Sequence, residues 1–244
     1  LIENNLSSEG ILSCSGRLTT IKHRIISHSQ HILRVDQEHD HLISATEQQL
    51  LFSKIANILQ NQKVDVLVFE DYDKGVLSEM LIQEIVKLCE LKSIPTVVDP
   101  KKRNFLHYKN VTLFKPNLKE LREGLKIEVI PSQIESVKQA TAILSKELNA
   151  KAAFVTLSEY GVYISDSQNS YHVMAHKREI ADVSGAGDTV VSVAALCVGA
   201  GFSLKLTAEL SNLAGGIVCE KVGVVPISVT ELVAEAVKAE ILNG

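Results

Sequence analysis

The sequence lacks the features that mark membrane, secreted and nucleic-acid-binding proteins. No apolar run reaches the roughly 18 residues needed to span a membrane. The opening segment LIENNLSSEG has neither the basic start nor the apolar middle of a signal peptide. The formal net charge is −4, which argues against nucleic acid or an anionic membrane as the main partner. We therefore expect a cytoplasmic protein whose partners are small molecules.

Cysteine is scarce, and none of the four residues is paired at the spacing of a metal-binding motif. Two of the four lie inside apolar helical stretches, so we predict buried free thiols rather than a disulfide or a zinc site. Several histidines lie close together near the N-terminus, but their spacings give no compact helical pair with a third ligand, so no metal site is predicted. These histidines are His23, His28, His31, His39 and His41.

Length and composition indicate one globular domain. The chain has 244 residues, of which 45% are hydrophobic and 22% are charged, enough for one substantial core. No internal repeat or low-complexity segment interrupts it. We therefore predict a single domain over residues 1–244, with an initial pair of short strands within residues 18–42 and an α/β core over residues 46–244.

Short apolar runs alternate with stretches of helical periodicity along most of the chain. Two strands, LTTIKHRIIS and QHILRVDQE, are expected to turn at residues 27–30 and to precede a helix over residues 46–60. Further strands are predicted at residues 64–69, 95–98, 111–114, 152–157, 162–165 and 171–174. The first of these reads as a parallel strand that is buried on both faces.

Helices are predicted between these strands. They begin at Ser78, at a capping box formed by Ser132 and Glu135, and at Ser228, and they cover residues 188–199 and 204–221. Such alternation predicts a mostly parallel sheet with helices on both faces. In such sheets ligands bind beyond the carboxyl ends of the strands.

The segment DVSGAGDT, residues 182–189, carries the strongest chemical signal. Its glycines leave backbone N–H groups uncovered before an apolar helix, which favours anion binding. Asp188 would repel a bound phosphate unless a hydroxyl group stood between them, and phosphoryl transfer needs that arrangement. The alternative is that Asp188 caps the helix and the glycines merely turn the chain. The segment is neither a Walker loop nor a GxGxxG motif.

DVSGAGDT resembles the C-terminal signature of the ribokinase-like (PfkB) carbohydrate kinases. The segments EDYDKG, VDPK, KPNLKE and TLSEYG also match the family in order, so the resemblance covers residues 18–237. It implies a three-layer α/β/α sandwich with a mostly parallel sheet and a small β lid over residues 18–42. It also implies transfer of the γ-phosphate of ATP, with Mg²⁺, to a carbohydrate hydroxyl. Asp188 would be the catalytic base, and the amides of Gly185, Ala186 and Gly187 would bind the transferred group.

The resemblance also implies a nucleotide site. Its expected residues are Asn117, Glu120, Thr156, Ser158, Glu159, Gly161, Asn212 and Gly215. Asn117 and Glu120 resemble an N-x-x-E motif that positions Mg²⁺-bound phosphates, although Asn117 would equally cap a helix. Residues 158–161 would equally form a plain turn. The small residues of the last long helix would equally serve helix packing.

Within the family the sequence is most similar to the D-glycero-β-D-manno-heptose 7-phosphate kinases, chiefly through the run DPK…F…Y…T…PN. This implies phosphorylation of a sugar phosphate at its anomeric hydroxyl, in lipopolysaccharide precursor synthesis. The expected substrate-binding residues are Lys22, Arg24, Asp71, Lys74, Asp99 and Lys101. Lys22 and Arg24 share one face of a strand, which suits either a phosphate-binding pair or an exposed basic face. A lone lysine such as Lys74 or Lys101 is commonly just solvated.

The sequence departs from the family at its start. Family members open with strands that carry a glycine-glycine motif for sugar binding and lid movement, and no such motif is found here. We therefore expect part of the sheet and of the sugar site to be absent, with an apolar sheet edge left open. Two alternatives stay open: a kinase for another sugar, and a non-catalytic nucleotide-binding protein. A homodimer through the lid and a monovalent cation site beside Asp182 and Ser184 are further expectations.

Overall fold

The computed structural model describes residues 6–14, 16–27, 30–176 and 178–242. The strands are β1 (Ile21–Ser27), β2 (Gln30–Gln37), β3 (Leu67–Glu70), β4 (Thr96–Asp99), β5 (Leu113–Phe114), β6 (Ala152–Thr156), β7 (Val162–Ser165) and β8 (Ser170–Val173). The helices are α1 (Ala45–Asn61), α2 (Glu79–Leu91), α3 (Leu118–Leu125), α4 (Ile134–Leu148), α5 (Ala186–Gly199), α6 (Leu204–Cys219) and α7 (Val229–Lys238). The described helices include none with the length and apolar character of a membrane span.

The strands form two separate sheets. The main sheet has six strands in the order β3-β4-β5-β6-β7-β8. Its first four strands are mutually parallel, whereas β7 and β8 are antiparallel to their neighbours. The predicted α/β class with a mostly parallel sheet is thus confirmed. β1 and β2 form a separate antiparallel hairpin at the predicted position, called the lid hairpin below.

Helices cover both faces of the main sheet. Residues of α1, α2, α3 and α4 form one apolar cluster with Phe69 and Phe114 of the sheet. On the other face Val191 of α5 and Ala208 of α6 pack against Phe154 of β6 and its neighbours. α7 packs against the outer side of α6. The molecule therefore has the predicted three layers.

The lid hairpin is tied to the core at its base. The guanidinium group of Arg17 donates to the backbone carbonyls of His41, at 2.9 Å, and His39, at 3.1 Å. It also donates to the carbonyl of Lys74, in the loop that follows β3. The ammonium group of Lys74 lies 2.5 Å from the carboxylate of Glu38, just beyond β2. One loop of the core therefore holds the base of the lid hairpin.

The strand predicted at residues 64–69 differs in extent and in surroundings. It runs from Leu67 to Glu70 and forms an edge of the described sheet, and 39% of Val68 is exposed. Val64 and Val66 precede the strand and pack against the apolar clusters of the two sheet faces. The long apolar run therefore reflects contacts with the flanking helices, not a strand buried on both faces.

The predicted capping box of Ser132 and Glu135 is wrong. α4 begins at Ile134, and its N-cap residue Gln133 makes no side-chain capping bond. Residues 130–133 form a turn, in which the hydroxyl of Ser136 accepts from the Ile130 N–H at 3.0 Å. The caps predicted at Ser78 and Ser228 are confirmed, because both hydroxyls accept from backbone N–H groups of the first helical turn.

All four cysteines are free thiols, as predicted. Cys89, Cys197 and Cys219 are buried, whereas Cys14 is half-exposed. Burial raises the pKa of the Cys89 and Cys197 thiols to about 11. These two thiols therefore behave as small apolar core groups.

Candidate active site

The parallel strands direct their carboxyl ends toward one edge of the sheet. β3 ends at Glu70, β4 at Asp99 and β6 at Thr156, and Asn117 follows β5. Asn117 also forms a bridge to Thr156. A cavity of about 590 Å³ opens beside this edge, between the loop after β6, the start of α5 and one face of α6.

This cavity collects most of the residues predicted for the nucleotide. They are Thr156, Ser158, Glu159, Gly161, Asn212 and Gly215. Ala186 and Gly187, predicted to bind the transferred phosphoryl group, line the same cavity. Residues from three separate loops and helices therefore meet at one place, although their binding role stays a prediction.

Two of the lining residues also have clear packing roles. A Cβ atom on Gly215 would lie 2.7 Å from the Val190 side chain, so a glycine lets α5 and α6 approach closely. The Asn212 amide donates to the Met174 carbonyl at 2.9 Å and ties α6 to the segment after β8. Helix packing, the simpler role considered for these positions, therefore occurs alongside any contact with a ligand.

The DVSGAGDT loop is fixed by its first carboxylate. Asp182 accepts from the Ser184 N–H at 2.9 Å and from the Gly223 N–H at 3.1 Å. Gly185 has a φ of +80°, which favours glycine, and α5 begins directly after it. Asp188 lies in the first turn of α5, as predicted. The N–H of Ala186 donates to the Val183 carbonyl at 3.3 Å, so one of the three predicted anion-binding amides is already engaged.

Three carboxylates converge beside the start of α5. Oxygen atoms of Glu70, Asp99 and Asp188 all lie within 4.8 Å of one another. Burial, and then the negative charges of Asp99 and Asp188, raise the pKa of Glu70 to about 7. Carboxylate oxygens are the ligands that Mg²⁺ prefers, so this carboxylate cluster fits a divalent cation.

A buried lysine balances part of this charge. The ammonium group of Lys115 lies 3.0 Å from the Asp99 carboxylate, and its side chain is only 2% exposed. Sequence reasoning missed both Lys115 and Glu70, although each lies in a segment that matches the family. The signal was their position at a strand end, where a charged side chain interrupts an apolar run.

The structure also brings Tyr72 to Asp188. The phenol of Tyr72 donates to the Asp188 carboxylate with an O–O distance of 3.2 Å. Burial, and next the charge of Asp188, raise the pKa of Tyr72 to about 12, so the hydroxyl keeps its proton near neutral pH. Sequence reasoning gave this residue no role, although it lies in the segment EDYDKG that matches the family.

Lys101 lies between Glu120, a predicted nucleotide-site residue, and Asp99 of the carboxylate cluster. Its ammonium group lies 2.9 Å from Glu120 and 3.9 Å from Asp99. Asn117 and Glu120 form a reciprocal capping box at the start of α3, with both bonds at 2.8 Å. The helix-cap role considered for Asn117 is therefore confirmed, and a role toward phosphates stays a prediction.

Other predicted substrate-binding residues lie apart from this cluster. Asp71 is buried, and its carboxylate accepts from Tyr108 at 2.7 Å and from Asn104 at 3.1 Å. Lys74 pairs with Glu38 as described above. Lys22 and Arg24 are exposed on β1, and no ion pair is found for either within the described residues. Their contact with a sugar phosphate stays a prediction.

The structure is an α/β/α fold with a cavity and a cluster of three carboxylates at the carboxyl ends of its parallel strands. The sequence profile described as "pfkB family carbohydrate kinase" matches residues 2–231. The chain therefore belongs to the pfkB family of carbohydrate kinases.

Curated relatives and solved structures agree with this assignment. The chain is 37% identical over 233 residues to the bifunctional protein HldE of Desulfatibacillum aliphaticivorans, covering 94% of the chain and 46% of that protein. It is 38% identical over 225 residues to HldE of Methylobacillus flagellatus, covering 92% of the chain and 46% of that protein. The chain thus spans about half the length of these relatives.

Two solved structures share the fold. Phosphofructokinase-2 from Escherichia coli, in complex with potassium, has a TM-score of 0.73 at 20% identity, covering 86% of this chain and 67% of that one. Ribokinase from Arabidopsis thaliana, complexed with ribose and ATP, has a TM-score of 0.64 at 14% identity, covering 83% of this chain and 64% of that one. The ribokinase-like fold that was predicted is therefore confirmed.

The raised pKa of Glu70 predicts a pH-dependent stability. In the folded state the pKa of Glu70 is about 7, above the ordinary 4.5. Between these pH values the folded state therefore binds more protons than the unfolded state. The free energy of unfolding should therefore fall as pH rises from about 4.5 to about 7. Glu70→Gln should remove this part of the decline, as measured by urea denaturation in EDTA at several pH values. An unchanged pH profile in the variant would contradict the prediction.

Proposed function

We propose that the protein transfers the γ-phosphate of ATP to the anomeric hydroxyl of D-glycero-D-manno-heptose 7-phosphate. One observation carries this proposal: the cavity that collects the predicted nucleotide residues meets the start of α5, where Asp188 lies in the first turn. The resemblance to heptose 7-phosphate kinases and the HldE relatives support the choice of sugar.

In this proposal Asp188 accepts the proton of the sugar hydroxyl as that oxygen attacks the γ-phosphorus. The ADP oxygen leaves from the opposite side, so the sugar gains the phosphoryl group. First-turn amides of α5, with Gly187 at the cavity wall, stabilise the charge of the transferred group. Tyr72 orients the Asp188 carboxylate by its hydrogen bond.

Mg²⁺ fits this site because three carboxylates lie within reach of one cation. Glu70 and Asp99 would hold the ion, with Glu120 as the further acidic group of the predicted N-x-x-E motif. When bound, Mg²⁺ neutralises charge on the phosphate oxygens. A monovalent cation beside Asp182 and Ser184 stays a prediction.

Calorimetric titration with Mg·AMP-PNP, with and without heptose 7-phosphate, tests the proposal. Nucleotide binding that tightens with the sugar phosphate supports a kinase for this substrate. Nucleotide binding that tightens instead with ribose or fructose 6-phosphate supports the alternative of another sugar kinase. Binding that is indifferent to every sugar supports a non-catalytic nucleotide-binding protein.

Tyr72→Phe should lower kcat about tenfold and leave the KM for ATP nearly unchanged. A hydrogen bond to a charged group contributes about 1.5 kcal/mol or more, and 1.4 kcal/mol is a tenfold change in rate. Steady-state kinetics with heptose 7-phosphate measure the effect, and Tyr171→Phe, on β8, is the matched control. A kcat equal to that of the control would show that Tyr72 does not orient the base.

Dimerisation through the lid hairpin is also a proposal. The hairpin exposes apolar side chains that a second copy would cover, including Ile25, Leu33 and Val35. Leu33→Glu should therefore shift the mass measured by light scattering from a dimer to a monomer. An unchanged mass would contradict this interface.

A further inference from the structure

A second cavity lies at the opposite end of the main sheet. It has a volume of about 940 Å³ and lies between α4 and the turn that joins β7 to β8. Ser165, at the end of β7, pairs with Ala153, near the amino end of β6. Because Thr156, at the other end of β6, lines the nucleotide cavity, the two cavities lie at opposite ends of this strand. They share no lining residue.

Tyr163 is one of the residues that line this cavity, and its buried hydroxyl lacks a hydrogen bond within the described part of the chain. Tyr163 extends from β7 and is only 3% exposed, and no described residue bonds its hydroxyl. Buried polar groups nearly always have a partner, because burial removes their bonds to water. A partner that binds in the cavity would supply the missing hydrogen bond.

The cavity is lined mainly by neutral polar groups. Six of these residues come from α4, from the residue that follows it and from the β7–β8 hairpin, namely Ser145, Asn149, Ser165, Gln168, Asn169 and Ser170. The charges of the lining residues sum to zero, because Lys138 and Lys151 are balanced by Glu90 and Asp166. Hydroxyl and amide groups both donate and accept, as do the hydroxyls of a polyol. Such a surface favours a neutral ligand over an anion.

The walls of the cavity are held in place by local hydrogen bonds. The carboxylate of Asp166 accepts from the N–H groups of Gln168, at 2.7 Å, and Asn169, at 2.6 Å, which fixes the β7–β8 turn. The Asn149 amide donates to the side chain of Asn110, another lining residue, at 2.7 Å. The volume also falls in the range of about 300–1,000 Å³ that is typical of small-molecule sites.

We propose that this cavity binds a neutral polyhydroxylated molecule of monosaccharide size, with the Tyr163 hydroxyl as a hydrogen-bonding partner. The site is separate from the sugar site of the kinase reaction, and it does not depend on the proposed substrate. Its ligand is recognised through hydroxyl groups, without a requirement for a phosphate.

The test is a titration of the full chain with D-mannose, D-glucose and glycerol, followed by ¹H–¹⁵N NMR spectra. We expect saturable shifts for amides of residues 145–149 and 165–170 with at least one sugar. Saturating Mg·AMP-PNP should leave these shifts unchanged. The absence of saturable shifts with all three probes, or shifts confined to the nucleotide cavity, would overturn the proposal.

Two tyrosine variants assign the binding to the hydroxyl. Tyr163→Phe should bind the sugar roughly three- to tenfold more weakly, as expected for the loss of one neutral hydrogen bond. Tyr171→Phe is the matched control, because Tyr171 packs on the other face of the sheet. Equal affinity in the two variants would overturn the proposed role of Tyr163. If Tyr163→Phe fails to fold, Gln168→Ala on the exposed turn replaces it, with the same expected weakening.

Discussion

Asp188→Asn is expected to lower kcat for sugar phosphorylation by about 10²–10⁴-fold, the usual contribution of general acid–base catalysis. Asparagine keeps the shape of the side chain but cannot accept the proton of the sugar hydroxyl. The affinity for Mg·AMP-PNP should change far less, because the cavity proposed to bind the nucleotide is lined by other residues. The loss should therefore appear in kcat, not in nucleotide binding.

Steady-state kinetics and calorimetry on the same preparation separate these two effects. Asp65→Asn is a suitable control, because Asp65 is an exposed carboxylate that pairs only with Lys63 among the described side chains. A kcat for Asp188→Asn within a few-fold of that control would show that Asp188 is not the base. The carboxylate cluster would then leave Glu70 and Asp99 as candidates.

Lys115→Met is expected to lower the free energy of unfolding by about 3–5 kcal/mol, the usual cost of removing one partner of a buried ion pair. Asp99 is itself buried, with a side chain that is 6% exposed. Without Lys115 the buried charge of Asp99 would lie near Glu70, with Lys101 as a more distant cation at 3.9 Å. Methionine preserves most of the volume, so the loss should come from charge and not from a cavity.

Urea denaturation near pH 8 in EDTA measures this loss. Lys101→Met is the matched control, because Lys101 is 35% exposed and lies farther from Asp99, at 3.9 Å. Its effect should be smaller, since the partial exposure of Lys101 lets solvent screen its contacts with Asp99 and Glu120. Equal losses in the two variants would mean that burial does not strengthen the contact between Lys115 and Asp99.

The sequence predicted the backbone of the site better than its side chains. The glycine-rich loop before α5 and the positions of the strand ends follow from local patterns, since glycine favours a positive φ and apolar runs mark buried strands. The contacts across the site do not follow from such patterns. Asp99 ends β4 and Lys115 directly follows β5, and only the register of these two strands in the folded sheet brings them together.

Side-chain direction decided which loop residues reach the site. Asp71 was predicted to bind substrate, yet it points inward to Tyr108, whereas its neighbours Glu70 and Tyr72 reach Asp188. Successive side chains at the end of a strand point to opposite sides. The sequence shows this alternation but not which side faces the ligand. That choice depends on how the layers pack around β3.

The attachment of the lid hairpin by Arg17 and Lys74 has a mechanical consequence. Lys74 lies two residues after Tyr72, in the same loop, and the phenol of Tyr72 donates a hydrogen bond to Asp188. A displacement of the lid hairpin would therefore move the same short loop that contacts the Asp188 carboxylate. Under the proposed function, closure of the lid hairpin over a sugar would therefore move Tyr72, and with it the hydrogen bond to Asp188.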